Sequence, residues 1–413
     1  MAQDALTERG PVTRSALSRC IDVPVEQFAR EHWGRAPLLS PTNDDFGDLF
    51  SPEAVDELVG RRALRTPFIR LAHEGSVLAP ERFTASGGFG AEVSDQVSSD
   101  KVLTEFAAGA TIVLQGLHRM WPPLVDFTRA LVGELGHPAQ VNAYVTPPSS
   151  QGFSPHYDTH DVFVLQVSGQ KHWRVHAPVH PDPLKSQVWT DHRDAVAQAA
   201  AGEPVIDRVL RPGDALYLPR GWIHAATALG DTSIHLTVGM AAYTRADVVD
   251  TLLGVVGDTP ALRASLPLGI DVSDPDQLRP IVQETVDAFV TALTSAPDPG
   301  GVAARRLGAR FERDARPEPV APLATRAAID SLTEHSRVRW RDGLGSRLER
   351  AGDKVRLATG TTALSLPAEA TGALQVLRTG DPVAVGSLPG LDLTSALVVV
   401  RRLLREGVVV PSR

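Results

Sequence analysis

The chain has 413 residues, more than one hydrophobic core usually accommodates, so two or three domains are expected. A hydrophobic share of 43% with 22% charged residues excludes a disordered tail-like chain and describes an ordinary globular protein. The net charge of −8 and a pI near 5.9 exclude any global attraction to nucleic acid or anionic membrane.

Residues 1–20 read as a polar lead-in; MAQDALTERGPVTRSALSR has no apolar core of a signal peptide. No apolar run is long enough to cross a bilayer, and Cys20 as the single cysteine can form no internal disulfide. A reducing, cytoplasmic location is therefore expected. The first aromatic anchors come in VEQFAREHWGRAPLLS. Ser51-Pro52-Glu53 opens a helix, with serine as N-cap and proline at the first helical position. The Gly- and Ser-rich stretch over 86–100 reads as a loop, a lid or plain surface connection. A short strand is expected from Ala110 to Leu114, and Trp121-Pro122-Pro123 leads into a helix over 124–134.

From Val141 to Met240 the pattern is that of a β-barrel. VNAYV, DVFVLQV, KHWRVH, ALYLP and SIHLTVG are short β-branched and aromatic runs separated by Pro, Gly, Ser and Asp. Ser168-Gly169 reads as a hairpin turn between two of them, and Pro212-Gly213-Asp214 as another turn. Such an antiparallel barrel with inward-pointing side chains is the cupin or jelly-roll plan. His156 and Asp158 stand two residues apart, which in an extended segment puts both side chains on one face. His224 arrives on another strand to complete two imidazoles and one carboxylate, a facial triad that suits Fe(II) and leaves coordination positions open. Asp161, His160 and His172 are rival ligands. Asp161 has the opposite parity, whereas His160 shares it and is read as supporting the ligands from behind.

An iron oxygenase of this kind also needs an anchor for a dicarboxylate cosubstrate. Lys171 is one of four lysines among 41 basic residues, and in a barrel strand it is expected to point inward. A buried ammonium implies a partner anion. Tyr144 adds a hydroxyl to the same carboxylate, and Asn142 lies on its face.

After Thr244 the period becomes helical. Thr244 and Asp247 form a capping box, and Ile281, Val282, Val286, Phe289, Val290 and Leu293 repeat along a second helix. The apolar stripes of this helical region, 244–330, are expected to pack on the barrel or on a second copy. Residues 331–413 return to mixed structure: strands in SRLERAGDKVRLATG, TTALSLP and GVVVP, helices in PAEATGALQVLRTG and LTSALVVVRRLLREG. That order is compatible with a winged-helix domain. This segment holds 12 Lys or Arg against 8 Asp or Glu, but Arg401, Arg402 and Arg405 crowd the end of its last helix, where they complement the helix dipole. A recognition helix offers polar side chains near its start, so direct nucleic-acid binding is not expected.

Taken together, NAYVTPPSSQGFSPHYDTHDVFVLQVSGQKHWRV, GDALYLPRGWIHAA, SIHLTVG and the early FAREHWGRAPLLS closely resemble the JmjC-type ribosomal oxygenases, 2-oxoglutarate-dependent protein hydroxylases of the cupin superfamily. The resemblance covers about 20–240 and agrees in layout beyond. It implies an α+β chain with a double-stranded β-helix (cupin/jelly-roll, JmjC) catalytic domain over 21–243. A helical dimerisation region over 244–330 and a winged-helix domain over 331–413 would follow. By that likeness His156, Asp158 and His224 bind Fe(II), and Lys171 and Tyr144 bind the distal carboxylate of 2-oxoglutarate. Asn142 lines the cosubstrate or substrate pocket. The implied reaction consumes 2-oxoglutarate and O2 and hydroxylates a His or Arg side chain of a ribosomal protein, with the enzyme as a homodimer. Lysine demethylation, small-molecule hydroxylation and a non-catalytic cupin scaffold are the alternatives.

Overall fold

The computed structural model describes residues 15–41, 46–73, 75–90, 92–148, 150, 153–257, 259–360 and 362–412. Most of the polar lead-in and three residues of the loop before the ligands, 149, 151 and 152, lie outside that set. The chain divides into two compact units, Met1–Ala242 and Tyr243–Arg413.

In the first unit the strands are β1 (Leu38–Pro41), β2 (Ile69–His73), β3 (Ser76–Val77), β4 (Thr84–Ala85), β5 (Gln96–Val97), β6 (Thr111–Leu114), β7 (Ala139–Thr146), β8 (Asp161–His176), β9 (Ile206–Leu210), β10 (Asp214–Leu218) and β11 (Ile223–Met240). Nine of them form one antiparallel sheet in the order β1-β10-β8-β11-β7-β6-β2-β3, with β9 also on β8; β4 and β5 pair separately. Ser51 caps the helix Pro52–Arg61, its hydroxyl accepting from the Ala54 amide at 3.3 Å, and a proline-led helix spans Pro122–Leu135. Phe28, Phe163 and Tyr217 meet in the core at ring distances of 4.9 to 5.8 Å.

Two sequence expectations change. Residues 86–100 are not all loop: they contain β5 and the start of the helix Ser99–Ala107. Ser168-Gly169 is not a hairpin turn. Strand β8 runs through it and pairs with β11 on both sides, from Asp161↔Met240 to His176↔Ile223, with an irregularity in β11 between Leu229 and Ile234. The reason is steric: Gly169 has φ +63°, and a Cβ there would come within 2.2 Å of the Thr232 carbonyl oxygen. Glycine lets the two backbones close on each other, so the long strands bend rather than reverse. On one side of the bend β8 pairs with β10, on the other with β9. That double use of two bent strands builds the barrel.

The second unit begins with the Thr244 capping box on the helix Arg245–Val256, followed by helices Pro275–Ser295, Pro299–Asp314 and Pro322–Asp330. On Pro275–Ser295 the sequence-predicted stripe is left open: Val282, Val286 and Val290 are each about half exposed. Beyond it come β12 (Arg337–Trp340), β13 (Ser346–Ala351), β14 (Lys354–Thr359), β15 (Ala363–Pro367), β16 (Val383–Ala384) and β17 (Val409–Ser412), with helices Thr371–Leu377 and Leu393–Arg405. They form two three-stranded sheets, β16-β12-β17 and β13-β14-β15, and share a core around Trp340, Leu374 and Leu403.

Candidate functional site

His156 and Asp158 lie in the segment just before β8, and His224 is the second residue of β11. One antiparallel bridge locks them: the His156 amide donates to the His224 carbonyl at 3.2 Å, and the His224 amide to the His156 carbonyl at 2.8 Å. Tyr157 between the first two points the other way, is 1% exposed, and donates its hydroxyl to the Gln187 carbonyl. The expected alternation therefore holds although no regular strand begins there.

The donor atoms of His156, Asp158 and His224 all lie within 4.8 Å of one another, and the two imidazole centroids are 4.5 Å apart. Each Nδ1 sits against a carbonyl oxygen, His156 on Ser154 at 2.7 Å and His224 on Trp222 at 3.0 Å. A carbonyl only accepts, so each Nδ1 must donate, which leaves both Nε2 lone pairs free for a metal. Burial, helped by the neighbouring His156, holds His224 below its ordinary pKa and hence neutral. Burial pushes Asp158 upward, but His160, His224, His156 and Arg70 together outweigh it and keep the carboxyl below the usual range. Two neutral imidazoles and one carboxylate fit a divalent iron-type ion.

These residues open a cleft of about 560 Å³ including its mouth. Its inner end is built from β7, β8 and β11. Lys171 is 3% exposed, its Nζ donates to Thr146 Oγ1 at 3.0 Å, and it makes no ion pair among the described residues. Burial pushes its pKa down to about 7. The partner anion that burial of this lysine demands is thus not supplied by the described residues. Tyr144 stacks on His235 at 5.0 Å, and Trp173 meets His235 edge-on at 5.5 Å. His235 is held far below its usual pKa by burial and by Lys171 and His224, so it is neutral. Trp173 Nε1 is buried with no hydrogen-bond partner among the described residues. A buried amine without an ion pair and a buried N–H donor without an acceptor thus both belong to residues that line the cleft, a donor set that suits an anion.

The remaining sequence-predicted residues fall as follows. Asn142 is half-buried on β7, and its side-chain oxygen accepts from the Gly116 amide at 3.0 Å; Thr237, its register partner on β11, lines the cleft, whereas Asn142 is not among the lining residues. His160 packs on Gly239, where a Cβ would come 2.7 Å from its ring, and adds its charge to Asp158 without joining the ligand cluster. Asp161 is fully buried and accepts from the Arg220 amide at 2.8 Å, and His172 pairs with Asp207. Sequence reasoning assigned no role to Thr146, His235 or Phe153. Inward parity from Tyr144 finds Thr146, but His235 becomes visible only once its pairing with Tyr144 is known.

The chain is similar to known proteins. Residues 125–248 match the JmjC domain family model. The chain is 32% identical over 266 residues to the "bifunctional lysine-specific demethylase and histidyl-hydroxylase NO66" of Drosophila persimilis, covering 59% of this chain and 35% of that protein. It is 35% identical over 216 residues to "ribosomal oxygenase 1" of Gallus gallus, covering 52% of this chain and 34% of that protein. The chain thus spans about a third of the length of these curated relatives. The X-ray structure of Escherichia coli ycfD superposes with a TM-score of 0.53 at 20% identity, covering 95% of this chain and 99% of that one, a likeness of fold. The fold is the JmjC cupin fold with mixed helices and sheets.

Proposed function

The chain belongs to the JmjC-domain ribosomal oxygenases, and on that premise we propose that it is an Fe(II)- and 2-oxoglutarate-dependent oxygenase that hydroxylates a His or Arg side chain of a ribosomal protein. The observation that carries this reading is the pairing of two halves in one cleft: a three-ligand face and, further in, a buried lysine without an anion. His156, Asp158 and His224 would hold the iron, and Lys171 with Tyr144 would hold the distal carboxylate of 2-oxoglutarate. Bound iron supplies O2 activation coupled to oxidative decarboxylation of the cosubstrate to succinate and CO2.

The chain's own part is binding and exclusion of water. Lys171 takes a proton as the dicarboxylate arrives, since an adjacent carboxylate favours the charged amine. Thr146 fixes the direction of Nζ. Val162, Val164 and Leu218 wall the cleft with apolar surface, which strengthens every charge interaction inside it. Asn142, whose side-chain oxygen holds the Gly116 amide, would steady β7 beside the cleft, and His160 would brace Asp158 from behind.

The same reading assigns 244–330 to homodimerisation and 331–413 to a winged-helix-like domain. The open stripe of Val282, Val286 and Val290 supports the former, and the two small sheets around the helix Leu393–Arg405 support the latter. A cytoplasmic location fits a ribosomal substrate, and among the described residues no helix is long and apolar enough to cross a membrane. The test is mass spectrometry of ribosomal proteins from cells with and without the gene. A protein heavier by one oxygen atom only when the gene is present supports the reading. An unchanged ribosome removes the ribosomal substrate, and absence of Fe(II)-dependent 2-oxoglutarate turnover in purified protein removes the oxygenase.

A further inference from the structure

The exposed side of the metal face carries a feature that the cosubstrate does not need. The His156 ring has two aromatic neighbours, Phe153 at 5.9 Å and Trp189 at 6.3 Å. Each of those rings is covered by a guanidinium: Arg70 lies over Phe153 at 5.9 Å, and Arg193 over Trp189 at 5.0 Å. The four residues come from three parts of the chain: Arg70 on β2, Phe153 in the segment before the ligands, and Trp189 with Arg193 one helical turn apart at the start of the helix Arg193–Ala200.

Neither arginine makes an ion pair among the described residues, although the chain has an excess of acidic groups. Elsewhere in the same unit Arg19, Arg62, Arg65, Arg82 and Arg220 are each matched to a carboxylate, whereas Arg174, Arg208 and Arg211 have no ion pair among the described residues but lie away from the ligand face. A guanidinium whose face rests on a ring keeps its in-plane N–H groups for an acceptor, and two-pronged binding of a carboxylate is what that fork does best. Stacking also fixes the fork in place before the acceptor arrives. The distal carboxylate of the cosubstrate already has Lys171 at the inner end; Arg70 bonds Tyr144 with part of its fork but leaves its buried Nε without a partner, and Arg193 makes no hydrogen bond or ion pair among the described residues, so N–H donors of both remain for the other reactant.

We propose that Arg70 and Arg193, each seated on an aromatic ring beside His156, form a rim that reads an Asp or Glu close to the side chain to be hydroxylated. The inference rests on the oxygenase reading for what happens next, but the recognition itself is a binding property and is measured without turnover.

The experiment uses the full chain loaded with Mn(II) and fluorescent peptides carrying a central His or Arg, flanked on both sides by Asp or by Lys and otherwise identical. Anisotropy titration should show the Asp-flanked peptides binding tighter by about tenfold or more, the scale of one charge-assisted contact. Arg193→Gln and Arg70→Gln should each narrow the difference, while Arg208→Gln, an exposed arginine on β9, should keep it. Equal affinities, a preference for Lys flanks, or no binding of any of the peptides overturns the proposal. So does an unchanged preference in Arg193→Gln accompanied by weaker 2-oxoglutarate binding, which would make the rim a cosubstrate guide. Peptide-free, Fe(II)-dependent 2-oxoglutarate turnover is measured beside it. Turnover without an Asp preference sinks the rim alone, and an Asp preference without turnover sinks the oxygenase alone.

Discussion

Replacing Lys171 by methionine removes a charge and keeps an unbranched side chain of similar reach. In the folded protein the buried amine titrates at about 7, against 10.5 for an ordinary lysine. Below pH 7 both folded and unfolded chains carry the proton, so folding must bury an ammonium whose hydrogen-bond partner among the described residues is a single hydroxyl, Thr146. Between pH 7 and 10.5 the unfolded chain binds more protons than the folded one, and wild-type stability therefore rises with pH through that window. At about 1.4 kcal/mol per pH unit, the rise over the two units above the folded pKa is about 3 kcal/mol. Lys171→Met has no such rise. It should be the more stable protein at about pH 6, and its advantage should shrink by about 3 kcal/mol by about pH 9. The same variant should lose 2-oxoglutarate turnover at every pH, because the distal carboxylate has lost its cation. Urea unfolding of metal-free protein at the two pH values, followed by tryptophan fluorescence, measures the first, and succinate release the second. An advantage independent of pH, or a methionine variant less stable at the lower pH, would refute the argument and mean that the lysine is solvated or paired.

Thr146→Val removes the hydroxyl that accepts from Lys171 while keeping its shape; calorimetry on Mn(II)-loaded protein should show 2-oxoglutarate binding weakened about tenfold, with stability changed by about 1 kcal/mol. His156→Ala leaves two of the three donors, and titration with Fe(II) under argon should show affinity lower by about a hundredfold or more together with loss of turnover. Val286→Asp, half exposed on the open stripe, should leave the urea midpoint nearly unchanged, within about 0.5 kcal/mol, and should turn the proposed homodimer into a monomer in sedimentation.

The metal face was legible because it needs little tertiary information. Alternation puts His156 and Asp158 on one side of any extended segment, and Tyr157 buried behind them obeys the same rule. Lys171 was legible for a similar reason, since a lysine among barrel apolars is rare enough to demand an explanation. The misread turn at Ser168-Gly169 marks where local reasoning stops. Gly after Ser is a sound turn signal, but whether the chain reverses or bends there depends on Thr232, some sixty residues on, whose carbonyl occupies the space a side chain would take. His235 is hidden for the same cause: it stands in a motif that was noticed, but its place in the cleft depends on the path of β11 through its irregularity. The arginine rim lies further still from view: Trp189 and Arg193 share a helical i,i+4 spacing, but nothing in the sequence links that pair to Arg70 and Phe153.

That bend also decides which side chains reach the cleft. Val162 and Val164 line it from even positions of β8, whereas Lys171 and Trp173 line it from odd ones. An unbroken strand cannot present both sets on one face. The change of parity falls at Ser168-Gly169. In β11 the same change separates His224 from His235 and Thr237, with the register shifting between Leu229 and His235 directly opposite. Without the irregularity, a barrel holding His224 inward would turn His235 outward. Gly169→Ala is therefore expected to do more than strain one residue. The left-handed conformation costs about 1–2 kcal/mol for a residue with a Cβ, and forcing that Cβ against the Thr232 carbonyl adds about 1–3 kcal/mol. Gly230→Ala isolates the first contribution, since Gly230 has φ +67° but open space around a Cβ. Urea midpoints should fall further for Gly169→Ala than for Gly230→Ala, and 2-oxoglutarate affinity should drop in the former alone as Lys171 and Trp173 move with the backbone. Equal losses in the two variants would mean that conformation, and not the close approach of the two strands, sets the price of the bend.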